Sequence, residues 1–124
     1  MQVLVVDDSP LMRRYVARTL EMTGIELTIH EAENGREALR RAAEIRPCVI
    51  ITDLNMPEMD GEELVSQVRS SPELQGTAVL VLSADRSTAR PEQLASAGAV
   101  AYLTKPVTPE DLRRTLLNIL EVQT

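Results

Sequence analysis

The sequence predicts an α/β fold in which a parallel five-stranded sheet is covered by helices on both faces. Two observations lead to this prediction. Short β-branched runs alternate with segments of helical periodicity five times within 124 residues, and strict alternation favours parallel strands joined by right-handed crossovers. Three of the runs are apolar at every position, as in strands that are buried on both sides. A chain of this length is expected to form one domain, over residues 1–124.

The predicted strands differ in how deeply they are buried. Residues 3–6, 48–51 and 79–82 are wholly apolar and indicate central strands. Residues 27–30 alternate between apolar and polar side chains, which favours a strand nearer the edge. On that strand we interpret His30 as a solvated surface residue rather than a ligand or a base. The fifth strand is predicted to be short, over residues 100–103.

The first two helices are predicted from their caps and their apolar spacing. Ser9 is a suitable N-cap with Pro10 at the first helical position, and Gly24 provides a stop. Asn34 caps the second helix, which Pro47 ends. The apolar stripes are Leu11, Met12, Tyr15, Val16 and Leu20 in the first helix, and Ala38, Leu39, Ala42 and Ala43 in the second.

The remaining helices are predicted in the same way. The third covers residues 61–70, and the last begins near Thr108 and Pro109. The fourth is the weakest, because Pro91 lacks an N–H and is not tolerated in mid-helix, so we expect it to start near Pro91 and to end at about Ala97. The predicted inward residues are Leu64, Val65 and Val68 in the third helix, and Leu112, Leu116, Ile119 and Leu120 in the last.

The composition excludes several classes of function. A net charge of −6 argues against a nucleic-acid module, whose phosphate contacts need a basic face. Two Tyr and no Phe or Trp leave no stacking platforms for single strands. The single Cys48 is predicted to be a reduced core cysteine. Because there is no signal peptide and no apolar run of roughly 18 residues, we expect a soluble, cytoplasmic protein without membrane insertion.

Polar residues follow the predicted strands at their carboxyl ends, where parallel α/β folds bind ligands. The first strand ends in Asp7 and Asp8, the third in Asp53, the fourth in Ser83 and the fifth in Lys105. A single Asp after a strand more often caps the next helix. The whole set at one edge of the sheet indicates a site instead.

The residue types at this edge favour phosphoryl chemistry supported by a metal ion. Three neighbouring carboxylates repel one another unless a cation neutralises them, and Mg²⁺ commonly takes one or two carboxylates plus waters. No His or Cys falls at these strand ends, which argues against zinc. With Mg²⁺ bound, one carboxylate can attack phosphorus. Ser83 and Lys105, the only Lys among 13 basic residues, would then bind the remaining phosphoryl oxygens.

Four segments together resemble a known family. They are residues 5–9 (VVDDS), 53–61 (DLNMPEMDG), 83–84 (SA) and 102–106 (YLTKP). With these motifs at this spacing, the chain resembles the receiver domains of bacterial two-component response regulators over its whole length, and the chemotaxis receivers in particular. The resemblance implies a flavodoxin-like (βα)5 three-layer sandwich with strand order 2-1-3-4-5.

The resemblance also implies a role for each matching position. Asp53 would accept a phosphoryl group from a sensor histidine kinase or a histidine phosphotransfer protein. Ser83 and Lys105 would contact the phosphoryl oxygens. Mg²⁺, for which Mn²⁺ is a substitute, would be held by Asp8, by Asp53, by Asp7 through a water and by the backbone carbonyl of Asn55.

A switch is implied as well. In the family, the Ser83 hydroxyl moves toward the phosphate and Tyr102 turns inward behind it. This movement repacks the face formed by the fourth helix, the fifth strand and the fifth helix, where a downstream protein binds. The Lys105–Pro106 bond is expected to be cis, which X-Pro bonds adopt at small cost. Asn55 and Asp85 would approach the hydrolytic water and give a phosphoryl lifetime of seconds to minutes, unless both are merely solvated loop residues.

Three functions fit these features to different degrees. The leading hypothesis is a phosphorylation-activated signalling switch that catalyses only its own phosphotransfer and autodephosphorylation. An alternative is a Mg²⁺-dependent phosphohydrolase for small phosphate esters, but Asn55 stands where its second acid/base would be. A binding module without phosphorylation is disfavoured by the intact acidic set. We expect a monomer or a weak, phosphorylation-dependent dimer, either stand-alone or within a larger protein.

Overall fold

The computed structural model describes residues 1–84 and 91–123, except for the side chains of residues 122 and 123. Over these residues, strands and helices alternate along the chain. The strands are β1 (Gln2–Val6), β2 (Thr28–Ala32), β3 (Val49–Asp53), β4 (Ala78–Ser83) and β5 (Ala101–Thr104). The helices are α1 (Pro10–Glu21), α2 (Gly35–Ile45), α3 (Gly61–Ser70), α4 (Pro91–Ala97) and α5 (Pro109–Gln123), with a 3-10 turn at Pro72–Leu74.

The five strands form one parallel sheet in the order β2-β1-β3-β4-β5, which confirms the predicted flavodoxin-like fold. The chain order of the strands changes direction at β1, because β2 lies on one side of β1 and β3 lies on the other. The register pairs Val6 with Thr52, Asp53 with Leu82, and Ser83 with Thr104. The carboxyl ends of four strands therefore lie together at one edge of the sheet, which we call the acidic edge.

The sheet separates two hydrophobic cores, because successive strand residues point to opposite faces. On one face, Leu4 and Ile50 pack with α2, α3 and α4; on the other, Val5 and Ile51 pack with α1 and α5. The predicted inward residues of α3 are buried, as are Leu112, Leu116 and Ile119 of α5. Within the described residues, no helix has the length and apolar composition needed to cross a membrane.

The predicted helix starts are confirmed by their caps. The Ser9 hydroxyl accepts a hydrogen bond from the Met12 N–H at 3.3 Å, and Asn34 Oδ1 accepts one from the Glu37 N–H at 2.8 Å. Such caps satisfy N–H groups that have no partner within the helix. At the weakest predicted helix, α4 starts at Pro91 and ends at Ala97, as expected.

Three apolar positions of the predicted helical stripes are exposed. Leu11 is 75% exposed and Tyr15 is 41% exposed, and the buried residues of α1 begin only at Val16. Ala43 is exposed on the solvent side of α2, whose inward line runs through Ala38 and Ala42. Because alanine is small, its place in an apolar stripe does not tell whether it faces the core or the solvent.

The edge positions are less buried than the central ones. Cys48 is a free, half-buried cysteine that packs against the core formed with α1 and α5. His30 is half-buried rather than fully solvated, and its Nε2 lies 2.5 Å from the Gln2 side-chain oxygen on the adjacent strand. Strand β5 begins one residue later than predicted, since Val100 is exposed and precedes it.

Candidate functional site

Three carboxylates meet at the acidic edge. Asp7 is buried just after β1, Asp8 follows it in an exposed position, and Asp53 is the half-buried last residue of β3. One oxygen from each carboxylate lies within 4.8 Å of those of the other two. Because β1 and β3 are neighbours in the sheet, their ends bring these side chains together.

Lys105 completes this cluster from the far side of β4. Its Nζ lies 3.2 Å from Asp7 Oδ2 and 3.2 Å from Asp53 Oδ1. The Lys105 side chain is only 8% exposed. Charge-assisted contacts of this kind are strong when they are shielded from water. One ammonium against three carboxylates leaves two excess negative charges, which is the charge of one divalent cation and the donor chemistry that Mg²⁺ prefers.

The charge of the Asp53 carboxyl is sensitive to these surroundings. Burial raises the pKa of Asp53 above its ordinary value of 3.8; the Lys105 ammonium opposes this rise and the Asp7 carboxylate adds to it. A carboxylate must be ionised to act as a nucleophile. A cation at the acidic edge would therefore favour the reactive form of Asp53.

Ser83 and Lys105 are brought to the acidic edge by the register of the last two strands. Ser83 is the fully buried last residue of β4, and its carbonyl accepts a hydrogen bond from the Lys105 N–H at 2.7 Å. Since Asp53 pairs with Leu82, Ser83 lies one residue beyond the carboxylate on the neighbouring strand. The Lys105–Pro106 peptide bond is cis.

The loop after β3 is fixed at both ends. The Leu54 N–H donates to the Leu82 carbonyl at 3.0 Å, and the Gly61 N–H donates to the Leu54 carbonyl at 2.7 Å. Asn55 occupies an exposed position on this loop. The metal and hydrolysis roles of Asn55 remain predictions, and Asp85 lies outside the described residues.

The importance of Gly61 was missed in the sequence, where it was assigned only as the start of α3 and as the last residue of the matching segment 53–61. A Cβ at this position would lie 2.7 Å from the Asp53 carbonyl oxygen and 2.9 Å from the Leu54 Cα. Real Cβ atoms do not approach backbone that closely. The Asp60-Gly61 pair was the feature of the sequence that could have indicated this role. Asp60 caps α3 by accepting a hydrogen bond from the Glu63 N–H, and Gly61 allows the loop to close against the helix.

Tyr102 lies on β5, half-buried and packed against the core formed with α2, α3 and α4. Its hydroxyl is buried and has no hydrogen-bond partner among the described residues. A cavity of 110 Å³ lies beside the ring, lined in part by Pro91, Leu94 and Val100. The ring is therefore held by packing alone, in contrast to the groups at the acidic edge.

A wider groove of 810 Å³ lies next to the acidic edge. Leu11, Tyr15 and Arg18 of α1 line one side of the groove, and Lys105 and Pro106 line the other. The two exposed side chains of the predicted α1 stripe, Leu11 and Tyr15, thus form part of the wall of an open surface.

Comparison with known proteins identifies relatives along nearly the whole chain. Residues 3–117 match the model of the response regulator receiver domain. The chemotaxis protein CheY1 of Helicobacter pylori is 39% identical over 121 residues, covering 97% of each chain. A chemotaxis protein CheY homolog of Campylobacter jejuni is 37% identical over 97% of this chain and 92% of its own. The structure of the chemotaxis response regulator CheY4 of Vibrio cholerae superimposes with a TM-score of 0.80 at 40% identity, covering 95% of this chain and 97% of that one.

Proposed function

Because this chain belongs to the response regulator receiver domain family, we propose that Asp53 accepts the phosphoryl group that operates it as a signalling switch. The observation that carries this assignment is the position of the Asp53 carboxylate, 3.2 Å from the Lys105 ammonium and grouped with the carboxylates of Asp7 and Asp8. We take residues 1–124 as a single receiver domain.

The transfer step exchanges one bond to phosphorus for another. A carboxylate oxygen of Asp53 attacks the phosphorus of a phosphohistidine on a sensor histidine kinase or a histidine phosphotransfer protein. The P–N bond breaks, its electron pair goes to the imidazole nitrogen, and an acyl phosphate forms on Asp53. The groove beside the acidic edge leaves this side open to the donor, and we expect the two proteins to meet in the cytoplasm.

Mg²⁺, or Mn²⁺ in its place, would be held by Asp8 and Asp53, by Asp7 through a water and by the Asn55 carbonyl. When bound, the ion supplies positive charge that offsets the charge of the incoming phosphoryl group. The excess of two negative charges at the acidic edge supports this assignment.

Lys105 and Ser83 would hold the transferred group. Lys105 already contacts Asp53, so its ammonium needs only a small displacement to reach a phosphoryl oxygen. Ser83 lies one residue beyond Asp53 on the adjacent strand, where its hydroxyl can bind another of these oxygens. Such positioning and charge stabilisation are the main requirements of phosphoryl transfer.

The response to phosphorylation would pass through Tyr102 to the face formed by α4, β5 and α5. The Tyr102 hydroxyl has no partner among the described residues, and this together with the adjacent cavity supports a ring with more than one accessible packing arrangement. Phosphorylation would shift the population toward the inward arrangement. A downstream protein would bind this face, and the chain would be a monomer or a weak, phosphorylation-dependent dimer.

Autodephosphorylation would return the switch to its resting state, with Asn55 and Asp85 setting a lifetime of seconds to minutes. Membership of the receiver family gives no support to the phosphohydrolase alternative. Activity toward a simple phosphate ester at multiple turnovers would favour that alternative over the switch.

Incubation with acetyl phosphate, with and without Mg²⁺, tests the assignment of the acceptor. Mass spectrometry of the intact protein is expected to find one phosphoryl adduct that requires Mg²⁺ and is lost in Asp53→Asn. Asp60→Asn is a suitable control, because Asp60 caps α3 and lies outside the carboxylate cluster. A Mg²⁺-dependent adduct that persists in Asp53→Asn would refute the assignment.

A further inference from the structure

We propose that Arg13 is a positioning residue for the acidic edge, fixing the Asp7–Asp8 turn in the orientation that binds the divalent cation. The inference rests on the proposed function, since it concerns the metal site of the same receiver. Arg13 lies one turn into α1, outside the motifs from which the site was predicted.

The Arg13 guanidinium joins two strand ends. Its Nε donates to Glu31 Oε1 on β2 at 3.0 Å, and its Nη1 donates to the backbone carbonyl of Asp7 at 2.8 Å. The Arg13 side chain is 17% exposed and that of Glu31 is 46% exposed, so the bond to the Asp7 carbonyl is the better shielded of the two. A planar guanidinium can make both bonds at once, whereas an ammonium offers a single charged point.

The contact with Asp7 completes a set of restraints on the turn. The Asp7 N–H donates to the Ala32 carbonyl at 3.2 Å, and Asp7 Oδ1 accepts from the Ser9 N–H at 2.9 Å. Arg13 adds the third restraint, on the Asp7 carbonyl. That carbonyl belongs to the peptide group that joins Asp7 to Asp8, so fixing it fixes the backbone from which Asp8 projects.

Asp8 depends on this backbone for its orientation. Its side chain is exposed and forms no hydrogen bond with the described residues. A carboxylate without such a bond is directed only by the conformation of its own main chain. Outer contacts that orient metal ligands commonly change metal affinity by roughly 10–100-fold when they are removed.

The charge of Arg13 is balanced by its partner. Glu31 neutralises the guanidinium, so the pair holds the turn without repelling a divalent cation nearby. Because the pair is neutral, a positioning effect of Arg13 and an effect of its charge predict opposite changes in cation binding. If Arg13 acted through its charge alone, removing it would leave Glu31 unpaired near the site and strengthen cation binding. If Arg13 positions the turn, the same change weakens cation binding.

The test measures Mg²⁺ affinity by isothermal titration calorimetry in Arg13→Met, Arg13→Lys and Glu31→Gln. Both Arg13 variants are expected to bind Mg²⁺ about tenfold more weakly, and this loss should persist at high salt because it is geometric. Glu31→Gln retains an acceptor for Arg13 but leaves the guanidinium charge unbalanced. Its smaller loss should disappear at high salt. Arg40→Met is the matched control, because Arg40 forms an exposed pair with Glu44 on α2.

A second readout follows the turn itself. Amide hydrogen exchange without Mg²⁺ should be faster at Ser9 in Arg13→Lys, since the bond from Ser9 to Asp7 loses its support. Tighter Mg²⁺ binding in Arg13→Met, or wild-type affinity in Arg13→Lys with the fold intact, would overturn the proposal. If the wild-type protein itself bound no Mg²⁺, the metal site of the proposed function would fail rather than the role of Arg13.

Discussion

The acidic edge and the Tyr102 region of β5 are built in opposite ways. At the acidic edge, Asp7 is fixed by contacts to its N–H, its carbonyl and both carboxylate oxygens. On β5, the Tyr102 hydroxyl has no partner among the described residues and the ring adjoins a cavity. Phosphoryl transfer needs a preorganised arrangement of charges, whereas a switch needs an element with two accessible arrangements. Among the described residues, Asp7 at the acidic edge is held by more polar contacts than Tyr102 on β5, and we expect the two regions to serve these two requirements separately.

Among the substitutions considered, Gly61→Ala should destabilise the acidic edge most. The added Cβ meets backbone atoms of Asp53 and Leu54, which cannot move without displacing the Asp53 carboxylate. Overpacking of this kind costs about 1–3 kcal/mol of unfolding free energy, and we expect phosphorylation by acetyl phosphate to slow as well. Urea unfolding and adduct formation measure the two effects.

Gly76→Ala is the matched control for Gly61→Ala. A Cβ at Gly76 meets nothing within 4 Å, so stability should be unchanged or slightly increased. Equal losses in both variants would show that the close approach at Gly61 is not what matters.

Lys105→Arg keeps the charge at the acidic edge but replaces the compact ammonium with a larger planar group. The fold should be retained, while phosphorylation by acetyl phosphate slows about tenfold, because a donor to the phosphoryl oxygens is misplaced. The phosphorylation-dependent change in the Tyr102 ring resonances should also be reduced. Adduct kinetics and NMR measure these changes.

Arg14→Lys is the control for Lys105→Arg, since Arg14 is exposed on α1 and lines the groove that Lys105 also lines. It should behave as the wild type in both measurements. Normal phosphorylation together with a normal Tyr102 response in Lys105→Arg would contradict the role assigned to Lys105.

Tyr15 and Tyr102 differ in whether the hydroxyl is hydrogen-bonded, so the same substitution should have different effects on stability. Tyr15 donates its hydroxyl to the Val107 carbonyl at 3.1 Å, so Tyr15→Phe should lose about 1 kcal/mol of stability. The buried Tyr102 hydroxyl makes no such bond among the described residues, so Tyr102→Phe should be neutral or slightly stabilising. Thermal unfolding of both variants tests this difference, and a larger loss in Tyr102→Phe would mean that its hydroxyl is paired.

The smallest expected effect is the pH dependence that arises from Asp53. Its pKa is raised in the folded state, so the stability contributed by its protonated form is present below the unfolded pKa and lost as pH rises through the folded value. The ionised carboxylate therefore destabilises the metal-free fold at neutral pH. Asp53→Asn should be more stable than the wild type there.

Urea unfolding without Mg²⁺ over a range of pH tests this contribution. The advantage of Asp53→Asn should shrink as pH falls toward 3.8, the ordinary value for this carboxyl. A difference that does not change with pH would mean that Asp53 titrates normally. Mg²⁺ should then stabilise the wild type more than Asp53→Asn, by binding only where the carboxylate is present.

Much of the fold was predictable because each signal was local. Wholly apolar runs mark strands covered on both sides, and Ser9 and Asn34 cap helices through bonds to N–H groups three residues away. The acidic edge was predictable because parallel strands place their carboxyl ends together, so Asp53 and Lys105 meet although 52 residues separate them.

The remaining features depend on contacts that spacing does not encode. The periodicity of α1 includes Leu11 and Tyr15, but it does not show that the buried residues of this helix begin only at Val16. Arg13 was missed because its partner at the acidic edge is the main-chain oxygen of Asp7 rather than a side chain. The carbonyl role of Asn55 also depends on main-chain direction, which residue types do not specify.

The position of Lys105 has a practical consequence for spectroscopy. The chain contains a single lysine, and its ammonium is buried between two carboxylates of the acidic edge. Protein labelled with isotopes only in lysine would therefore give one side-chain spin system, located between Asp7 and Asp53. Every addition of metal, phosphodonor or partner could be followed at that atom without resonance overlap or an attached probe.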